Sequence, residues 1–290
     1  MRLSFLNRGL IIGVLMLLLA GCSAVRFAYN QAPELVYWRL DGYVDFDGEQ
    51  APPARGAVNQ WFEWHRNTQL PDYATLLVKL QAEVQQPTTA AQVCRWWDEI
   101  EKRRDLLLDQ ATLRLTPVAL TLKPEQFENI EERYAKSNKD FRKEYLQEDP
   151  QDRREAAVKR VIDRSEILYG RIEGSQRELI ERQLAGSPFD PQRWYNERRR
   201  RQQDVLQTLR QLQAGKATAQ QAQPVLRALA QRLVESPDES YRRYMAQLTA
   251  YNCEFAAQLH NATTPAQRRT AAGKLKGWEA DLRALVSNGT

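Results

Sequence analysis

Apolar residues return at three- and four-residue intervals along nearly the whole chain, and no run alternates apolar with polar side chains as a half-buried strand does. Val58, Trp61, Phe62 and His65 fall at i, i+3, i+4 and i+7. Tyr73, Leu76, Leu77 and Leu80 repeat the spacing, and Val93, Trp97, Ile100, Leu107 and Ala111 share a helical face. Val205, Leu206, Leu209 and Leu212 form a further stripe, and so do Tyr241, Tyr244, Met245, Leu248, Phe255 and Leu259. Such stripes read as core-facing surfaces of amphipathic helices. Pro and Gly punctuate them. Pro52 and Pro53 start a helix, Pro71 restarts the chain, and Pro87 breaks it before a helix over 90–114. Pro117 and Pro124 mark the connection to a helix over 124–147, and Asp149-Pro150 opens a long one to about 185. Asp190-Pro191 caps the next, closed by Ala214-Gly215, and helices over 218–235, 237–261 and 264–286 follow. Loops of this length suit antiparallel neighbours. The pattern predicts an all-α chain, an elongated bundle of antiparallel helices. Residues 24–48 are aromatic, acidic and poor in long periodic runs, and within them Trp38–Asp47 is expected to mix short helix and loop.

The first residues belong to another class of sequence. Arg2 and Arg8 precede an apolar stretch from Leu10 to Ala20, roughly half the ~20 residues that a spanning helix needs. A positive head, a short apolar middle and a small-residue end make a secretory signal peptide. Leu19-Ala20-Gly21-Cys22 resembles the lipobox of bacterial lipoproteins. That resemblance implies cleavage before Cys22, a diacylglyceryl group on its sulfur and acylation of the new amino group, two lipid signals being what holds a protein stably on a membrane. Ser23 after the Cys implies, by enterobacterial sorting rules, the outer membrane facing the periplasm. The expected organisation is a signal peptide over 1–21, a lipidated tether over 22–48 and a helical domain over 49–290.

Charge excludes one class of partner. Lys and Arg number 42 against 37 Asp and Glu, and loss of Arg2 and Arg8 with the signal leaves a net charge of about +3. That is too little for nucleic-acid binding. Beyond Cys22 the chain holds Cys94 and Cys253, and in an oxidising compartment an even pair invites a disulfide.

Catalytic patterns are missing. The only His residues are His65 and His260, and there is no metal-binding His-Glu-x-x-His, no Cys-x-x-Cys and no phosphate-binding Gly loop. No cofactor and no catalytic residue is expected. Asp41, Asp45 and Asp47 read as a solvated acidic turn, and the Arg198–Arg201 run as an exposed helix face. The candidate binding residues are aromatic or basic: Trp61, Trp64, His65, Arg66, Trp96 and Trp97. An enzyme would need His65 to meet a carboxylate such as Glu63 or Asp72.

Two resemblances extend this reading. Three helix starts look alike: Thr121–Phe127 with Pro124 and Gln126, Arg171–Leu179 with Gln176 but no Pro, and Thr263–Arg268 with Pro265 and Gln267. They are similar to the Leu-Thr-Pro-x-Gln motif of Spy-like periplasmic chaperones, which implies binding of unfolded clients. Over a longer span, Trp61-x-x-x-His65-Arg66-x-x-Gln69-Leu70-Pro71-x-Tyr73 resembles the signature of an uncharacterised proteobacterial lipoprotein family. The lipobox, the Pro-x-Gln starts and the Trp278/Leu282 end agree with it. That family implies an all-α, lipid-anchored envelope protein and no established activity. The expectation is a protein-binding, scaffolding or chaperone-like module whose partners are the membrane, through Cys22, and an envelope protein or unfolded client.

Overall fold

A computed structural model describes residues 24–287, all helix and connecting turns with no strand among them. The stretch expected to be a signal peptide, and Cys22, lie outside the described residues. None of the described helices is long and apolar enough to cross a membrane.

The helices are α1 (Ala24–Val44), α2 (Ala51–Trp64), α3 (Leu70–Glu83), α4 (Ala90–Ala119), α5 (Pro124–Tyr145) and α6 (Pro150–Tyr169). They continue with α7 (Gly174–Ala185), α8 (Pro191–Ala214), α9 (Ala219–Val234), α10 (Glu239–Asn261) and α11 (Pro265–Ser287). The 30-residue α4 is the spine, about 45 Å long at 1.5 Å per residue. It packs against α2, α9 and α10, while α3 lies along α11. Buried side chains gather in separate clusters. Tyr37, Ala54, Ala57 and Val118 form one where α1, α2 and the end of α4 meet. Leu122, Phe127, Ile130 and Leu206 seat α5 on α8. Val158, Ile180, Phe255 and Leu259 join α6, α7 and α10.

Several sequence expectations need correction. Residues 24–44 are one continuous helix that packs on α2, α5 and α11, and the segment 38–47 is helix to Val44 followed by loop, as the sequence suggested. Pro71 does not interrupt the chain. A π-helical turn over His65–Gln69 joins α2 to α3, with the Leu70 N–H bonded to the His65 carbonyl. This wider turn brings Pro71 in at the start of α3, where a missing N–H costs little. Pro117 falls inside the last turn of α4 rather than after it. The segment 150–185 is two helices, because Gly170 turns the chain at φ 74°, a conformation that favours glycine.

The repeated helix starts have a common purpose. The Oε1 of Gln126, Gln176 and Gln267 accepts the backbone N–H three residues back, from Lys123, Glu173 and Thr264, at 2.8, 2.9 and 2.9 Å. Gln92 and Gln221 do the same at α4 and α9. Gln176 and Gln267 also face each other, each amide donating to the other's carbonyl at 2.7 and 3.0 Å. Their second protons go to loop carbonyls: Gln176 to Ala262, Gln267 to Arg171. Gln126 has an equivalent partner in Gln50, with donors at 2.6 and 3.0 Å, and the two reach the carbonyls of Asp45 and Thr121. All four glutamines are buried, and their polar atoms are satisfied as burial demands.

Candidate functional site

An apolar cleft of about 640 Å³ opens between α3 and α4. These consecutive helices run side by side without packing, because α3 is committed to α11 and α4 to α9 and α10. Leu76, Leu77, Leu80 and Val84 form one wall, and Val93, Trp96, Ile100 and Leu107 the other. Leu168 and Tyr169 of α6, Ala256 and His260 of α10 and Leu282 of α11 close the floor. Cys94 and Cys253 form a disulfide with Cα atoms 5.5 Å apart, which pins the α4 wall to α10.

Two polar links span the gap between the walls. Arg103 donates to Asp72 through Nε and Nη2, at 2.6 and 3.1 Å, and Trp96 Nε1 donates to Glu83 at 2.7 Å. Arg103 also pairs with Glu99, Arg104 with Glu101 and Asp105, and Lys102 with Glu99. Deeper in the floor, His260 Nε2 donates to the Gln86 carbonyl at 2.8 Å and Nδ1 lies 2.8 Å from the Tyr169 hydroxyl. The bond to a carbonyl requires a proton on Nε2, so Nδ1 of the neutral ring accepts from Tyr169. These floor groups satisfy one another and leave the interior apolar.

The residues singled out in the sequence divide between two places. Trp96 lines the cleft, and Trp97 stands on its helix 46% exposed. With Ile100, 57% exposed at the lip, it departs from the core role expected of the Val93 stripe. Trp61, Trp64, His65 and Arg66 form a packed staple around the π-helical turn. The His65 ring stacks on Trp61 at 5.0 Å and meets the Tyr29 hydroxyl at 2.8 Å. Trp61 Nε1 donates to the Leu107 carbonyl, and Arg114 lies 5.7 Å over the Trp64 ring. Arg66 donates to Asn30 of α1 and to the Leu285 carbonyl of α11. This cluster ties α1, α2, α4 and α11 together.

Neither carboxylate named for a hydrolase reaches His65. Asp72 is held by Arg103, Glu63 is exposed, and His65 is absent from the cleft wall. Burial pushes the His65 pKa down to about 4, and burial lowers that of His260 as well. An unfolded His titrates near 6.5, so the unfolded chain takes up a proton that folded His65 refuses until pH approaches 4. The stability from neutral His65 is complete above about pH 6.5 and is lost as pH falls from there toward 4. Urea midpoints measured at pH 7 and 4.5 will show this fall, and His65→Gln will reduce it; an equal fall in both proteins would contradict the assignment.

The remaining sequence features have structural roles. Asp47 accepts the N–H groups of Glu49 and Gln50 and pairs with Lys123, and Asp41 accepts the Phe46 N–H. The acidic segment thus builds the turn into α2. The arginine run is not one exposed face: Arg200 and Arg201 share the buried Glu197, and Arg198 reaches Asn138 and Ser137. Sequence reasoning missed the cleft itself, with Leu76, Leu77, Leu80, Val84, Arg103 and the Tyr169–His260 floor. Its signal was present only as stripes identical to those of a core.

No curated protein and no solved structure matches the chain. One family model does match, over residues 42–232, which is more than half the chain. The protein therefore belongs to the family of unknown function DUF6279.

Proposed function

We propose that the chain is an envelope lipoprotein held through lipid on Cys22 at the periplasmic face of the outer membrane, and that its helical domain is a binding module without chemistry of its own. The observation that carries the binding role is the α3/α4 cleft. Its volume lies within the roughly 300–1,000 Å³ of ligand sites, its wall is aliphatic and aromatic, and its polar groups hold one another. An apolar ligand, or an apolar part of a client, gains from burial there at about 25 cal/mol per Å². The lipid reading is supported by the Leu19-Ala20-Gly21-Cys22 pattern.

The binding role is tested with N-phenyl-1-naphthylamine, a dye that fluoresces when it leaves water. The mature chain carrying Cys22→Ala should bind it saturably at one site. Ile100→Glu places a charge at the exposed lip, where the fold does not depend on it, and should weaken the dye by at least about tenfold, as an uncompensated charge beside an apolar site predicts. Unchanged binding in Ile100→Glu would remove the cleft from the proposal. For the anchor, full-length Cys22→Ala should no longer incorporate labelled palmitate, and continued labelling would refute it.

A further inference from the structure

We propose that α1 lies flat on the membrane entered by the lipid of Cys22, with Phe27, Leu35 and Trp38 immersed among the lipids. The inference rests on the anchor at Cys22. Its first support is the way α1 faces. Its polar contacts point into the protein: Arg26 meets Asp281 of α11, the Tyr29 hydroxyl meets His65, and Asn30 accepts from Arg66. Its carboxylates are engaged as well, Glu34 by Arg55 of α2 and Asp41 by the Phe46 N–H. The outer side is apolar. Phe27, Leu35 and Trp38 are 67%, 54% and 62% exposed. At about 100° per residue they fall within roughly 80° of one another, with exposed Ala24, Ala28 and Gln31 on the same side. An amphipathic helix of a water-soluble domain does the opposite and turns its apolar stripe inward.

Position selects the occupant. Helix α1 starts at Ala24, two residues after Cys22, and two residues of chain reach at most about 7 Å. The lipid therefore holds the first turn of the helix at the bilayer surface. From Ala24 to Trp38 the helix rises about 21 Å. Standing upright, it would carry Leu35 and Trp38 out into water; lying flat, it buries all three side chains at the depth of about 5–10 Å that interfacial helices reach. No described helix is apolar enough to cross a membrane, so α1 can enter one only by this face. Trp38 and the exposed Arg39 stand at its far end, residue types suited to the head-group layer. A soluble partner would have to reach a helix already held against the bilayer from its first turn.

The experiment uses the natively acylated protein in vesicles of phosphatidylethanolamine and phosphatidylglycerol. A nitroxide is attached at Leu35→Cys, with Lys159→Cys, an exposed position on α6, as the reference. Cys94 and Cys253 are bridged, so the introduced thiol takes the label. The Leu35 label should collide with oxygen several-fold more, relative to a water-soluble nickel chelate, than the Lys159 label does. Vesicle-bound acylated protein whose Leu35 label is as open to nickel as that at Lys159 would overturn this inference and leave the anchor standing. A Leu35 label shielded from both reagents would put a protein surface there, a second copy or a partner, and would overturn it equally. An unacylated Cys22 would overturn the anchor, and the inference with it. The mature Cys22→Ala chain should still sediment with the same vesicles. Adding Leu35→Asp should weaken that binding by at least about tenfold, because a charge replaces an apolar group that enters lipid, while the melting temperature stays unchanged. Equal sedimentation of the two chains would overturn the inference.

Discussion

Reducing the bridge between Cys94 and Cys253 will lower the stability of the domain by about 5 kcal/mol, the chain-entropy value for a loop of this size. The two residues are 159 positions apart, so the open chain regains the freedom of more than half the molecule. For a protein of this size each kcal/mol moves the melting temperature by roughly 2–4 °C, and the expected fall is on the order of 10–20 °C. Calorimetry with and without reductant measures it. Cys253→Ser should match the reduced protein, since it removes the same constraint. A fall of less than 2 °C in both would show that α4 and α10 hold together without the bond. Dye binding is a second readout: a bridge that sets the position of the α4 wall will, when cut, loosen the cleft before it unfolds the domain.

The second large effect belongs to the buried glutamines. Gln176→Leu keeps the volume but leaves the Ala262 carbonyl and the Glu173 N–H without their partners and takes one bond from each end of the Gln267 amide. At about 1–3 kcal/mol for each buried group left unsatisfied, the expected cost is about 3 kcal/mol. Gln267→Leu should cost a similar amount. Made together, the two should cost less than their sum by about 0.5–3 kcal/mol, because residues in one network are not independent. Strict additivity in urea denaturation would mean that the exchange between the two amides contributes nothing. Gln92→Ala is the control. Its side chain caps α4 near the surface without a buried partner, and it should cost only about 1 kcal/mol.

These glutamines mark the limit of what the chain reveals before it folds. The helix starts at Gln126 and Gln267 were legible because each follows a helix-opening Pro, though nothing showed that Gln126 would close a box on Lys123. Gln176 was visible as a weaker copy. Gln50 was not, since nothing local says that Asp47–Gln50 will face a turn more than seventy residues away. The same holds for α1. Tyr37 points inward while Phe27, Leu35 and Trp38 are more than half exposed, so the helix is apolar on several sides and shows no clean period. Pro33 lies inside it without ending it. The π-helical turn at His65–Gln69 answers a local problem set by Pro71, and hydrophobic spacing carries no trace of it. The cleft was hidden for another reason. Leu76, Leu77 and Leu80 repeat as they would in any packed helix, and whether a stripe meets a partner or faces a gap depends on which helix arrives opposite. The disulfide, in contrast, followed from the number of cysteines and their apolar neighbours, and the pairing needed no knowledge of the topology.

The pairing of α3 with α11 has a consequence for how the molecule is made. Gln81 and Glu279, which join these helices by a 2.8 Å hydrogen bond, are 198 residues apart, and Arg26 of α1 meets Asp281 of α11 across a still longer span. Helical proteins built from neighbouring contacts fold in microseconds to milliseconds, and long-range closures slow the search. A chain delivered from its N-terminus presents Leu77, Leu80 and Val84 long before Ala271 and Leu275 arrive to cover them. Throughout that interval the early helices form a half-built wall with an apolar side open to any passing surface. Docking of α11 is therefore expected to come last, and a chain stopped near residue 264 should be helical, sticky and unable to finish.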